Sequence, residues 1–180
     1  MSEKKKAVAK KTTETKKVAA KKQAGGVPPS QSEAMPGFVL EKLFLKDVSV
    51  EVPNSPDIFT LNEPPEIGLE LGNGGKPLGN GFFEVSIKLT VTAKIAGKVA
   101  FLVELEQAGI FGVRNVPDEN MEPILAITCP NILFPYAREA ISDLITKAGF
   151  TTVLLSPINF EALYVQQRQQ AEAKAAEAKN

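Results

Sequence analysis

The chain has 180 residues, 43% of them hydrophobic, and 21 Lys and Arg balance 21 Asp and Glu. It has no histidine and a single cysteine, Cys129, which excludes histidine-based triads, His/Cys zinc sets and an intramolecular disulfide. No run approaches the roughly 18 apolar residues of a membrane span, so a soluble protein that stays in the cytoplasm is expected.

In chain order, residues 1–35 hold nine lysines against Glu3, Glu14 and Glu33. Such a segment has too little apolar surface to offset its ordering entropy, and a disordered Lys/Ala-rich tail is expected. It lacks the apolar core of a secretory signal and the arginines of a transit peptide. Residues 36–165 carry nine Lys and Arg against sixteen Asp and Glu, a net −7. An acidic body suits cationic partners rather than nucleic acid, whereas the tail offers a different function: an adaptor for nucleic acid or an anionic envelope surface. Its Ala-Lys-Lys pattern has no aromatics to stack on bases.

A first strand is predicted over Lys42–Val52, with Phe44, Val48, Val50 and Val52 on one face and Asp47, Ser49 and Glu51 on the other. Pro53, Pro56, Pro64 and Pro65 make the next segment a crossover loop, because proline withholds backbone donors. Ile67, Leu69 and Leu71 alternate with Glu66, Gly68 and Glu70 in a short second strand. Gly72–Gly81 reads as a flexible connection; Gly75-Lys76 is followed by Pro77, so it is no phosphate-binding loop. Phe83 to Ile95 is the longest alternation, and Ala96-Gly97 is a tight turn into a fourth strand, Lys98–Phe111. There Val99, Phe101, Val103 and Leu105 share a face, and Leu102 stands among Ala100, Glu104 and Glu106 on the other.

Phe134, Ala137, Ile141, Leu144, Ile145 and Ala148 recur at helical spacing, with Gly149 as the stop and Pro135 in the first turn. A second helix follows Pro157, capped by Asn159, with Phe160, Leu163 and Tyr164 on one stripe. Residues 166–180 are an Ala/Gln-rich helix end and tail. Strands first and helices after indicate an α+β fold: a four-stranded antiparallel sheet with a long helix and a C-terminal helix on one face.

Chemistry has little to draw on. The pairs Glu66/Glu70 and Glu104/Glu106 lie on solvated strand faces, without the pocket that acid/base work needs. Cys129 has no histidine base and reads as a buried structural thiol. Two irregularities remain. Leu102 stands among acids, and if its face aligns with Asp47 and Glu51 on another strand the result is what a charge-steered docking patch requires. Ile58, Phe59, Ile67, Leu69, Leu71, Phe160 and Tyr164 exceed what one sheet-and-helix layer hides, which leaves core, subunit interface or exposed groove open.

Cys129-Pro-Asn-Ile-Leu-Phe-Pro-Tyr-Ala-Arg138-Glu139 resembles the most recognisable segment of the SecB family of export chaperones. Lys46–Pro56, Leu89–Ala93, Ala100–Phe111 and Pro157–Leu163 resemble further family segments in family order, over roughly residues 38–167 together. The resemblance implies a dimer of dimers that binds unfolded preproteins without cofactor or catalysis. It implies docking of the SecA motor at Asp47, Glu51, Leu102 and Glu104, and client binding at Ile67, Leu69, Leu71, Phe160 and Tyr164. Val103 and Leu105 match positions at the family's tetramer interface, and any membrane contact is expected only through SecA. The lysine-rich start and the nearly neutral C-terminal tail depart from the family pattern.

Overall fold

Alternating side chains between residues 37 and 114 build one antiparallel sheet. The computed structural model describes residues 36–177; the Lys-rich segment expected to be disordered lies outside them. Strands β1 (Gly37–Glu51), β2 (Glu66–Gly79), β3 (Phe82–Ile95) and β4 (Lys98–Arg114) pair in the order β1-β4-β3-β2. The long alternation of β3 makes it an inner strand: Val85, Ile87, Leu89, Val91 and Ala93 are all buried. Phe101, Val103, Leu105 and Phe111 of β4 continue that face. The helices cover it, and each fully buried aliphatic or phenyl group contributes about 1.5–3 kcal/mol.

Helix α1 (Asp118–Pro123) passes through a π-helical turn, Ile124–Thr128, into α2 (Cys129–Lys147). The helical segment therefore starts well before Phe134, where the prolines had suggested it begins. Pro130 has no N–H for the carbonyl of Ala126, and its ring crowds that turn; the wider π turn takes up the misfit. Leu133, Phe134, Ala137, Ile141 and Ile145 then form the buried stripe of α2, and Gly149 ends it at φ +93°. Helix α3 (Phe160–Glu177) opens under the expected cap, Asn159 Oδ1 accepting from the Ala162 N–H at 3.0 Å. It runs unbroken past residue 165 through most of the stretch read as helix end and tail.

Besides a slip at Leu78 next to the β2–β3 turn, three bulges reset the faces. The pairing of β1 with β4 slips at Glu41 and at Lys46, and that of β3 with β4 slips at Ala100. A bulge sets two successive residues against one partner, so strict alternation fails across it. Ala100 and Phe101 are consequently both buried, while Val99 pairs with Lys94 and leaves the core face on which alternation had put it. Phe44 likewise pairs with Ala108, on the face opposite Val48 and Val50.

The glycine-rich stretch is not a loose connection. Gly72 to Pro77 pairs in register with Lys88 to Phe83, so β2 is twice as long as its apolar alternation suggests. An edge strand tolerates glycine and proline because one side of its backbone needs no partner. The turn is confined to Asn80 (φ +53°) and Gly81 (φ +77°). The predicted Ala96-Gly97 hairpin turn has the same sign of φ, +51° and +75°, as two-residue hairpins require.

Candidate functional site

The sheet presents two faces of different chemistry. On the helix side α2 lies over β3 and β4, so the flanking strands are only partly covered. Ile67 and Leu69 of β2 are each 41% exposed although they share a face with buried Ala93 and Val91. Leu71, the next residue on that face, is half-buried beneath the start of α3. A small cavity of about 70 Å³ lies there, lined by Leu71, Asn73, Phe160, Leu163 and Tyr164.

Asn73 and Tyr164 also line a much larger cleft, about 770 Å³, between the glycine half of β2, the α1–π segment and α3. Its apolar lining includes Phe83, Met121 and Leu125, and Lys76, Glu122 and Arg168 stand among its lining residues. The Arg168 guanidinium lies 5.9 Å from the centre of the Tyr164 ring. Ile67, Leu69, Leu71 and Asn73 thus succeed one another along β2 toward a cleft that can take several side chains of an extended chain. Sequence alternation missed the cleft because its walls, Phe83 of β3, Met121 and Leu125 of the α1–π segment and Tyr164 of α3, are far apart in the chain.

The predicted binding residues differ in accessibility. Ile67, Leu69 and Tyr164 reach solvent, but Phe160 is only 2% exposed and packs edge-on against Phe134 at 5.9 Å. Phe160 forms the floor of the groove and not its surface. At the far end, the crossover loop is pinned by buried Ile58 and by Asn54, whose amide donates to the Val99 carbonyl at 2.9 Å. Phe59 stays half exposed, its ring 5.0 Å from Phe150, which in turn lies 4.9 Å from Phe101.

The outer face of the sheet is polar toward Glu51, whereas Val39, Phe44, Phe82 and Ile110 share it at the other end. Register places Glu51, Leu102 and Thr92 side by side, then Ser49, Glu104 and Thr90, then Asp47, Glu106 and Lys88. The four predicted docking residues therefore share one patch on two adjacent strands, β1 and β4. Leu102 is half-buried between Glu51 and Thr92 rather than protruding. Glu104 Oε1 accepts from Thr90 Oγ1 at 3.3 Å and lies 3.6 Å from Lys88 Nζ. Beside this patch, Lys46 Nζ lies 2.9 Å from Glu84 and 3.1 Å from Glu106, and Lys76 is 3.2 Å from the second oxygen of Glu84.

These pairs leave a signature in the titration of their members. The hydrogen bond from Lys46, then that from Lys76, hold Glu84 below the ordinary carboxylate range against an opposing desolvation. Glu106 is lowered first by Ser86 and then by Lys46, and Lys46 itself is raised by both glutamates.

Val103 and Leu105 belong to neither surface. They are 0% and 1% exposed within the protomer's own core, so neither can touch a second copy directly. Cys129 is fully buried and desolvation pushes its thiol up to about 12, which leaves no thiolate nucleophile at neutral pH. Among the described residues, no three His, Cys, Asp or Glu side chains gather as metal ligands, and no helix is long and apolar enough to cross a membrane.

Residues 31–171 match the sequence model of the family described as "Preprotein translocase subunit SecB". "Protein-export protein SecB" of Chromobacterium violaceum is 56% identical over 144 residues, covering 79% of this chain and 96% of that protein. The protein of the same name from Neisseria gonorrhoeae is 48% identical over 145 residues, covering 80% and 98%. Among solved structures, the Mycobacterium tuberculosis Rv1957 SecB-like chaperone, in complex with a ChAD peptide from the Rv1956 HigA1 antitoxin, aligns with a TM-score of 0.57. That alignment covers 67% of this chain and 90% of the other at 17% identity, and shows that the two share a fold.

Proposed function

This chain belongs to the SecB family, and on that premise we propose that it is an ATP-independent chaperone of protein export, holding unfolded preproteins and passing them to the SecA motor. The observation that carries this is the apolar surface left open on the helix side, from Ile67 and Leu69 to the 770 Å³ cleft. Burying client side chains there yields about 25 cal/mol per Å² of apolar area. That gain is non-directional, so a long segment binds well with little sequence preference. The net −7 of residues 36–165 favours basic clients and speeds their capture. Binding competes with client folding, so slow-folding chains are held longest, in the cytoplasm where they are made.

Client holding and motor docking use opposite faces of one sheet. SecA meets Asp47, Glu51, Leu102 and Glu104, whose carboxylates steer a cationic partner while Leu102 supplies a small apolar contact. The working unit is a homotetramer, a dimer of dimers. β1 is an edge strand, and Phe38, Leu45, Val48 and Val50 on its helix-side face are 37–49% exposed. A second copy paired along that edge would cover them. Val103 and Leu105 act on assembly only through the helix they support.

The test is a refolding assay. A denatured, slow-folding preprotein diluted into buffer without nucleotide should fold progressively more slowly as this chain is added, saturating at a fixed stoichiometry. Refolding at an unchanged rate with excess chaperone would contradict the proposal.

A further inference from the structure

Lys46 occupies the bulged position of β1, next to Asp47. The bulge turns both side chains to the outer face instead of opposite faces. From there Lys46 spans the sheet to reach carboxylates on two other strands, Glu84 of β3 and Glu106 of β4, at 2.9 and 3.1 Å. Exposure ranks the acids of this face by their availability. The Glu84 side chain is 14% exposed and held by two lysines, Glu106 is 24% exposed, and Glu104 is 41% exposed with its lysine at 3.6 Å.

We propose that Lys46 is a specificity-determining residue that sets the boundary of the docking face. By occupying Glu84 and Glu106, it leaves Asp47, Glu51 and Glu104, with exposed Glu66 and Glu70 of the edge strand β2 beside them, as the acids a cationic partner meets, and so keeps that partner away from the β2–β3 turn. This rests on the reading of the outer face as the docking surface. The cluster of Lys46, Lys76, Glu84 and Glu106 is electrically neutral in itself, and both carboxylates titrate low because their partners hold them ionised. Removing Lys46 leaves two ionised groups with one lysine, and the negative field spreads toward the β2–β3 turn.

Decalysine, a cationic probe with no fold of its own, reads that field. The experiment is titration at an ionic strength of about 0.01 M, with Lys46→Met, Lys46→Gln and the control Lys147→Met. Lys147→Met removes the same charge from the exposed Lys147–Asp143 pair on α2. Both Lys46 variants should bind decalysine about threefold or more tighter than the unaltered chain, with a steeper loss as salt is added. Backbone amide shifts on decalysine binding should spread from Ser49 and Glu104 to Glu84 and Glu106. Lys147→Met should change affinity by less than about twofold, and Lys46→Gln/Glu84→Gln/Glu106→Gln should lose the gain. A gain no larger than that of Lys147→Met, or shifts that stay on the Asp47 side, overturns the proposal. SecA separates the two readings. If decalysine behaves as expected but SecA binding ignores Glu104→Lys, the docking reading fails and the control of the field by Lys46 stands.

Discussion

Replacing Ile67 and Leu69 together by serine tests the groove where its contribution is calculable. Each side chain is 41% exposed in the free chain, so a client has about two-fifths of it left to bury. Complete burial of such a group is worth about 1.5–3 kcal/mol, which makes the remaining share about 0.6–1.2 kcal/mol per residue. The pair therefore contributes about 1.2–2.4 kcal/mol to client binding, or about eight- to sixtyfold in affinity. The three-fifths already covered belongs to folding, so the variant also loses about 2–4 kcal/mol of stability. Circular dichroism must establish that it remains folded, with the single variants as a reserve. Isothermal titration with a reduced, unfolded preprotein supplies the affinity. A folded double variant that binds within about twofold of the parent would refute the assignment of this strand to the groove.

Four further outcomes follow from the geometry. Glu104→Lys sets a cation beside Lys88 and against a cationic partner; SecA affinity should fall about tenfold, 1.4 kcal/mol, with client affinity unchanged by calorimetry. Gly112→Ala would place a Cβ 2.8 Å from Val39 Cγ1 and 3.2 Å from the Phe82 ring, and urea unfolding should register an overpacking loss of about 1–3 kcal/mol. Glu84 and Glu106 are depressed in the folded state, so their stabilisation is complete above the ordinary glutamate value of 4.5 and is lost as pH falls through their lower folded values. Lys46 is raised, so its share is complete below 10.5 and is lost as pH rises through its higher folded value; Glu84→Gln should flatten both limbs of a pH–stability curve. Cys129, buried with its thiol at about 12, should react with a thiol reagent only at the rate at which the chain opens, and faster labelling in native buffer would show a locally open helix.

The architecture was legible where one physical pattern runs uninterrupted. The alternation of β3 and the helical stripe of α2 each bury one face, and both appear as read. Misreadings fall where the backbone departs from its ideal period. A bulge adds one residue and inverts every parity upstream of it, which is why Phe44 was assigned to the wrong face while Asp47, Ser49 and Glu51, downstream of Lys46, were not. The π turn ahead of Cys129 hid the helix start, because prolines inside a helix read as breaks. The glycine half of β2 has no apolar alternation from which a strand can be read. Of the site, parity put Asp47 with Glu51 and Leu102 with Glu104, each pair on one strand face, and it takes the pairing of β1 with β4 to bring the two together. The large cleft was not legible, since its walls meet only in three dimensions. Val103 and Leu105 were assigned to an interface by resemblance, and their burial inside the protomer is visible only with α2 in place.

The separation of holding from docking has a direct spectroscopic test. An extended, unfolded client carrying one nitroxide label is added to isotope-labelled chain, and relaxation enhancement is mapped residue by residue. The account predicts loss of signal along Ile67, Leu69 and Leu71 and at Tyr164, Met121 and Leu125, with Ser49, Leu102 and Glu104 unaffected. Broadening centred on Leu102 and Glu104, with Ile67 and Tyr164 intact, would contradict it.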